Sequence, residues 1–511
     1  MVQPIISSAW CGFDWRGPES EPLRGFACPN CGSLAPKPPW FGVAWWSHEQ
    51  PRVALPYEEM FRCEACDARF LRELGRTSSG EHERNPPFRL KFYVQQTAGL
   101  ETMARLVGRM PARPGARYLD VGCNYGFTLD FARAAKGWLV AGIDPSANTA
   151  IGARALDVEI EPRLLAPADA ARIAAGDAPP FDFVSAVEVI EHLGDPRGFV
   201  TLLRGMLAPG GVLALSTPNA ARVKPGAGDA EISVLLAHGN HVVMHTSRSL
   251  AHLLRVAGFT HVAVEDEGMG LSAYASDAPL TLERDPARLR RAYRDWLEAA
   301  VDRTGLESDA FLGLAGRALV EAANDGDAIA AARAWDKLRP AIAARYGFDP
   351  AGDLPRLPAH AADLMQVAPF NLGVLVYAQA LGEVVAGADR AALADRFHAA
   401  ARLCDEIRAA LAAGGFPDAD AQSKDLGWVA AAEALVCDVA REDGAVVGRL
   451  RSLPESPDGN PARRASIAAR LLIDAVNRGF FDLARALHAA EQPVLADPAL
   501  AAAYRTASAR L

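Results

Sequence analysis

The chain has no excess of positive charge. Its 53 Lys and Arg are set against 62 Asp and Glu, a formal net charge of −9, with an isoelectric point near 5.7. That balance argues against broad binding to a nucleic-acid backbone, which favours basic surfaces. A secretory start is also missing: Met1-Val2-Gln3-Pro4 opens neither a basic n-region nor an apolar h-region. No uninterrupted apolar run is long enough to span a bilayer. The nearest approach, Leu364–Gly382 between Asp363 and Glu383, is broken by Gln366, Pro369, Asn371 and Gln379. The cost of placing such groups in lipid makes a buried helix pair the better expectation, with no membrane span. Cysteine is scarce, with 8 in 511 residues. Four form two tight pairs and Cys11, Cys123, Cys404 and Cys437 are scattered, unlike a secreted disulfide scaffold, so a cytoplasmic location is expected.

What is present reads as several domains, since 511 residues exceed one typical domain. Residues 1–90, a leader and a cysteine-paired region, are rich in Pro, Trp and Cys. Residues 91–275 alternate β-type and helical runs, and residues 276–511 are Ala-rich and helical. In the middle region Arg117–Val121 predicts a strand, followed by a glycine turn and a helix over Thr128–Ala135. Trp138–Ile143 and the near-continuous apolar run Phe183–Val187 predict further strands, the latter buried on both faces. A helix over about Pro196–Leu207 leads through Pro209-Gly210-Gly211 into a strand at Val212–Ser216. Strands alternating with helices predict parallel βαβ units, an α/β fold. In the last region Arg317–Gly326 resembles Arg470–Gly479, each an amphipathic helix stopped by glycine and followed by another Ala-rich helix. Stacked hairpins somewhat like tetratricopeptide repeats would look this way, as would chance similarity in an Ala-rich chain.

The chemistry-bearing segment is Asp120-Val121-Gly122-Cys123-Asn124-Tyr125-Gly126, at a strand-to-helix handover. Glycine there permits a sharp turn and close approach of a ligand to the backbone, and the helix start offers free N–H groups. Asp144, 18 residues beyond Gly126, ends the second strand. Its carboxylate suits a ribose diol, although Pro145-Ser146 also make it a plausible cap or turn residue. The spacing Gly122-x-x-x-Gly126 does not match the G-x-G-x-x-G of dinucleotide enzymes.

The segment resembles motif I of class I S-adenosylmethionine-dependent methyltransferases, usually D-x-G-C-G-x-G, with Asn124 in place of the middle glycine. Asp144 in Gly142-Ile143-Asp144-Pro145-Ser146 is similar to that family's ribose acid. Glu188-Val189-Ile190-Glu191-His192-Leu193 is similar to its E-V-x-E-H signature, and Pro209-Gly210-Gly211 to its L-x-P-G-G turn. The resemblance covers about residues 90–275. It implies a Rossmann-like core that holds S-adenosyl-L-methionine through Asp120, Gly122, Cys123, Asn124, Gly126, Asp144 and Glu188. Asn tolerates positive φ better than most residues, so the turn is expected to keep its shape.

The acceptor should sit beyond the carboxyl ends of the strands. His192 falls there and is a candidate proton acceptor, or with Glu191 it shapes the loop. His238-Gly239-Asn240-His241 and His245 follow the fifth strand, in a stretch resembling the family's H-x-H-x-x-T-x-x-S-L segment. His241 is a second candidate base beside a structural reading. His241 and His245 would share a helix face if that stretch is helical; a metal at that pair would lack an apparent third ligand.

Near the N-terminus, Cys28-Pro29-Asn30-Cys31 and Cys63-Glu64-Ala65-Cys66 are two C-x-x-C knuckles suited to a closed, structural four-thiolate Zn2+ site, with disulfides or unlinked thiols as alternatives. The 31 residues between them, with Trp40, Trp45 and Trp46, exceed the gap of a compact zinc ribbon and are expected to fold over the site or meet substrate. A cysteine knot before a class I core resembles bacterial methyltransferases of sugar and surface-glycan modification. These resemblances imply an O-methyltransferase of a small-molecule or glycan acceptor, with the helical region as a surface for a protein partner. Alternatives are another acceptor class (a quinone-like phenol, a nucleic acid or a protein) and a non-catalytic scaffold.

Overall fold

A computed structural model describes residues 11–47, 54–75, 87–97, 99–224, 229–237, 240–415, 421–457 and 460–511. They fall into two compact units. One takes the described parts of Met1–Pro86 together with Gly99–Thr304, and the other takes Pro87–Ala98 together with Gly305–Leu511. The helix Pro87–Gln96 thus belongs with the C-terminal helices, and the helix Pro286–Arg303 with the α/β unit.

Two sheets build the first unit. The N-terminal strands are β1 (Cys11–Arg16), β2 (Pro39–Ser47), β3 (Ala54–Arg62) and β4 (Arg69–Leu71). They pair antiparallel in chain order, and β4 is joined by a two-residue strand from far along the chain, β10 (Val243–Met244). The tryptophan-rich stretch forms β2 in this sheet. Trp45 is 2% exposed and its indole N–H donates to Glu58 Oε2 at 2.6 Å, so it serves the core of the cysteine lobe. Trp40 carries the Arg69 guanidinium over its ring, 3.6 Å from the centroid.

The second sheet contains β5 (Arg117–Val121), β6 (Leu139–Ile143), β7 (Ile160–Glu161), β8 (Phe181–Val187), β9 (Leu207–Pro218), β11 (His261–Asp266) and β12 (Gly270–Ser276). Their spatial order is β11-β12-β9-β8-β5-β6-β7. Every pair from β9 to β7 is parallel, and β12 runs antiparallel to both its neighbours. Strands on either side of β5 are reached by crossovers in opposite directions, so β5 and β8 flank the switch point where such sheets open a crevice at the strand carboxyl ends. Val184, Leu213 and Leu215 sit fully buried between the helix layers, as the apolar runs required. The helix Pro286–Arg303 is tied to the helix Phe127–Lys136 through Asp130, which accepts from Trp296 Nε1 at 2.8 Å and Arg303 Nη2 at 2.9 Å.

The second unit is helical. The helices Asp309–Asn324 and Ala328–Tyr346 are separated by Gly326 at φ 75°, and Pro461–Arg478 and Phe481–Ala490 by Gly479 at φ 81°. Both segments of the sequence repeat therefore end helices beside left-handed glycines. The long apolar run forms Ala361–Val367 and Leu372–Val385, bent by 47°, a pair with the length and composition of a broken membrane span. Leu372 through Ala380 are all buried within this unit. Among the described residues no single helix is long and apolar enough to cross a membrane.

Candidate active site and metal clusters

At the carboxyl end of β5 the chain turns on Gly122 (φ 81°), Asn124 (φ 46°) and Gly126 (φ 94°) before the helix Phe127–Lys136. Gly122 is obligatory on two counts: its φ lies in the left-handed region, and a Cβ there would collide with Val189 Cγ2. Asn124 holds the left-handed conformation expected of it, so the turn keeps its path without the middle glycine. The first-turn N–H groups of the following helix have no intrahelical acceptors, which suits a carboxylate. Cys123 is buried beside this turn, where burial and the Asp120 and Asp144 carboxylates push its thiol far up, so it packs as a neutral group.

Two carboxylates flank the turn. Asp144 is 7% exposed; its Oδ2 accepts from Asn124 N–H at 2.8 Å and its Oδ1 from Ser146 N–H at 2.7 Å. It therefore does act as a turn residue, while each oxygen retains a second lone pair for a diol. Asp120 is 1% exposed, at the end of a relay in which Tyr118 O–H meets Ser185 Oγ at 2.5 Å and Ser185 O–H donates to Asp120 Oδ1 at 2.5 Å. Burial, reinforced by the charge of Asp144, pushes the Asp120 carboxyl up to about 7.

Across the switch point, Glu188 directly follows β8, itself at φ 54° and accepting from Ser216 O–H at 2.8 Å. Desolvation and the nearby Glu191 push its carboxyl up, although the residue as a whole lies open at the crevice. The short turn Ile190–His192 then brings two further titratable side chains, Glu191 and His192. Glu191 is 0% exposed; Oε2 accepts from Thr217 O–H at 3.0 Å, and burial pushes it up to about 7. His192 donates its Nδ1–H to Asn240 O at 3.0 Å, which makes Nε2 the acceptor nitrogen.

His241 lies beside it, ring centroids 4.8 Å apart, and donates Nδ1–H to Leu235 O at 2.5 Å. The stretch bearing His241 and His245 is extended rather than helical, because Val243 and Met244 pair with Phe70 and Arg69 of the cysteine lobe. Burial, then the neighbouring His192, pushes the His241 imidazole down to about 3. His245 is fully buried elsewhere in the core. His238 and Gly239 lie outside the described residues.

The two knuckles do meet. Cys28 and Cys66 Sγ are 3.7 Å apart, as are Cys31 and Cys63 Sγ, and all four sulfurs lie within 4.8 Å of one another. Thiolates ~2.3 Å from a tetrahedral zinc stand ~3.8 Å apart, whereas a disulfide needs ~2.05 Å. The donor set therefore fits zinc and not disulfides. Each knuckle turns through a left-handed residue four positions on, Gly32 (φ 73°) and Asp67 (φ 67°). The lobe is stitched to the α/β core by β10, by Asn30 Nδ2 donating to Ser249 O at 3.0 Å, and by Arg248 Nη2 donating to Ala65 O at 2.9 Å.

Sequence reasoning missed Ser185 and the Asn240 and Leu235 carbonyls, which orient Asp120 and the two imidazoles. Hydroxyls in apolar strands were a usable signal; backbone carbonyls leave none.

A family model described as a methyltransferase domain matches residues 94–264. The ubiquinone biosynthesis O-methyltransferase of Caulobacter sp. (strain K31) is 37% identical over 138 residues, 26% of this chain and 52% of that protein. Its namesake from Xylella fastidiosa (strain M23) is 34% identical over 181 residues, 34% of this chain and 71% of that protein. The chain spans about half the length of the former relative and of several others like it. Among solved structures, an O-methyltransferase family protein from Burkholderia thailandensis matches at 18% identity over 37% of this chain and 59% of that one, with a TM-score of 0.30. With a relative matched over most of its own length, the chain belongs to the class I S-adenosylmethionine-dependent methyltransferases.

Proposed function

We propose that the chain transfers a methyl group from S-adenosylmethionine to a hydroxyl oxygen of a small polar acceptor. The observation that carries this reading is the meeting of the Gly122–Gly126 turn, Asp120 and Asp144 at the switch point between β5 and β8. The cofactor supplies a sulfonium-activated methyl group. Amides of the first helical turn bind its carboxylate, Asp120 meets its ammonium, which relieves a buried acid otherwise held protonated, and Asp144 takes the ribose hydroxyls. Glu188, at the mouth of the crevice, completes the cofactor side. The acceptor hydroxyl lies toward His192 Nε2, the lone pair offered on that side. The four cysteines hold a structural zinc that braces the segment after β9, and with it His241.

Two acceptor classes have support. The relatives named for ubiquinone biosynthesis favour a quinone-like phenol, and the resemblance of the cysteine lobe favours a sugar or glycan hydroxyl. Calorimetry tests the cofactor step: the wild type binds S-adenosylmethionine, and Asp144→Ala weakens it at least tenfold, about 1.4 kcal/mol. A wild type that releases no binding heat overturns the reading. A methyl-labelled cofactor offered with phenol and sugar panels then separates the acceptor classes.

A further inference from the structure

On the acceptor side, Glu191, His192 and His241 each bring one ligand-capable atom within 4.8 Å of the others. Three observations make this more than a cluster. Glu191 Oε1 is fully buried and has no hydrogen-bond partner among the described residues, and it is the oxygen that lies 3.9 Å from His192 Nε2. Both imidazoles give their Nδ1–H to backbone carbonyls, of Asn240 and Leu235. That second contact fixes the ring and the tautomer so that Nε2 carries the lone pair, as in metal-ligating histidines generally. Finally, among the described residues His192 is the ion-pair neighbour of Glu191, with no Lys or Arg beside that acid. A buried carboxylate without a cationic partner or hydrogen bond at one oxygen is costly unless it is protonated or meets a cation.

We propose that Glu191, His192 and His241 form a divalent-cation site, distinct from the four thiolates, that takes an ion suited to imidazole and carboxylate, such as Zn2+ or Co2+, and presents it to the acceptor hydroxyl. Two imidazoles and one carboxylate leave coordination positions open, which is the arrangement of a reactive centre and not of a structural one. Donors ~2.1 Å from a common ion stand ~3–3.5 Å apart, so the three close in by roughly 1 Å on binding. His192 is half-exposed, with its side chain 28% accessible, and provides the entry side, while Glu191 and His241 form the buried floor. This deepens the methyltransferase reading and rests on it. An acceptor hydroxyl at an open position is acidified by the ion. Its proton passes to water, the oxygen forms the new O–CH3 bond, and the S–CH3 bond breaks with its electron pair returning to sulfur. The buried neutral His241 is then a ligand, which gives a role to an imidazole that the base reading leaves idle.

The test is titration of Co2+ into the full-length, zinc-replete chain, followed by visible absorption and calorimetry. The wild type takes up one further equivalent with a d–d spectrum free of thiolate charge transfer. Glu191→Gln and His241→Ala each weaken that step at least tenfold. Glu191→Gln keeps the shape and removes only the charge, and unchanged S-adenosylmethionine affinity in the same samples shows that the domain is folded. No further equivalent in the wild type, or equal uptake by both variants, overturns the site. A chain that binds cofactor but no cobalt sinks the metal site alone, and one that binds cobalt but no cofactor sinks the methyltransferase reading instead.

Discussion

The cysteine lobe and the crevice beside it both gather chemically active side chains from distant segments, and they treat them in opposite ways. In the lobe the sulfurs stand against one another at 3.7 Å, walled by Phe61, Phe70 and Val243. In the crevice Asp120 and Glu191 are as deeply buried as the cysteines, yet among the described residues neither has a Lys or Arg beside it, and burial pushes both up to about 7. On the proposed reading, the difference separates a site closed around a structural metal from one left under electrostatic tension for a visitor that exchanges. The lobe is expected to answer to metal and the crevice to pH.

The largest effect should come from opening the lobe. Cys66→Ser removes one of four zinc donors, and with structural zinc in peptides contributing on the order of 10 kcal/mol to folding, the first unit should lose zinc and its cooperative thermal transition. Elemental analysis together with scanning calorimetry reads this; a variant that melts like the wild type would erase the contrast. The next effect belongs to the crevice. Burial pushes the folded Asp120 carboxyl up to about 7, against about 4 for an unfolded aspartate. Between those values the native chain holds a proton that the unfolded chain releases, so its stability falls as pH rises. The contribution is roughly 2–4 kcal/mol for this one group. Asp120→Asn should therefore shrink the difference in melting temperature between pH 5 and pH 8 measured without cofactor, and an unaltered difference would show the acid to be already compensated. The smallest effect tests the seam between the regions. Asn30 is 0% exposed and donates to Ser249 O and toward Cys66 Sγ. Asn30→Ala should cost about 1–2 kcal/mol of stability in denaturant titration while leaving zinc bound.

Much of the α/β core was legible because its signals are local. Arg117–Val121 was expected as a strand and is one, and the helix expected over Thr128–Ala135 spans Phe127–Lys136. Glycine turns and apolar runs report on their own few residues. The acids of the crevice were legible as residues, but their protonation was not, since it depends on burial that only the assembled sheet creates. The pairing of β4 with β10 joins positions separated by about 170 residues through two residues of strand, and no periodicity marks so short a ladder. That pairing also decides the conditional reading of the His241–His245 spacing: an edge strand captured the segment, which is extended.

The helix Pro87–Gln96 precedes the methyltransferase core in the chain yet is packed with the C-terminal helices. Gln95 donates to Asp309 and accepts from Phe370 N–H, Gln96 donates to Phe370 O, and a Cβ on Gly313 would strike the Val94 carbonyl. The C-terminal unit is thus assembled from two separate stretches of gene. A truncation after Thr304 would strand a ten-residue helix with Phe88 and Val94 laid bare, and a swap of that unit between homologues would need cuts at three points rather than one.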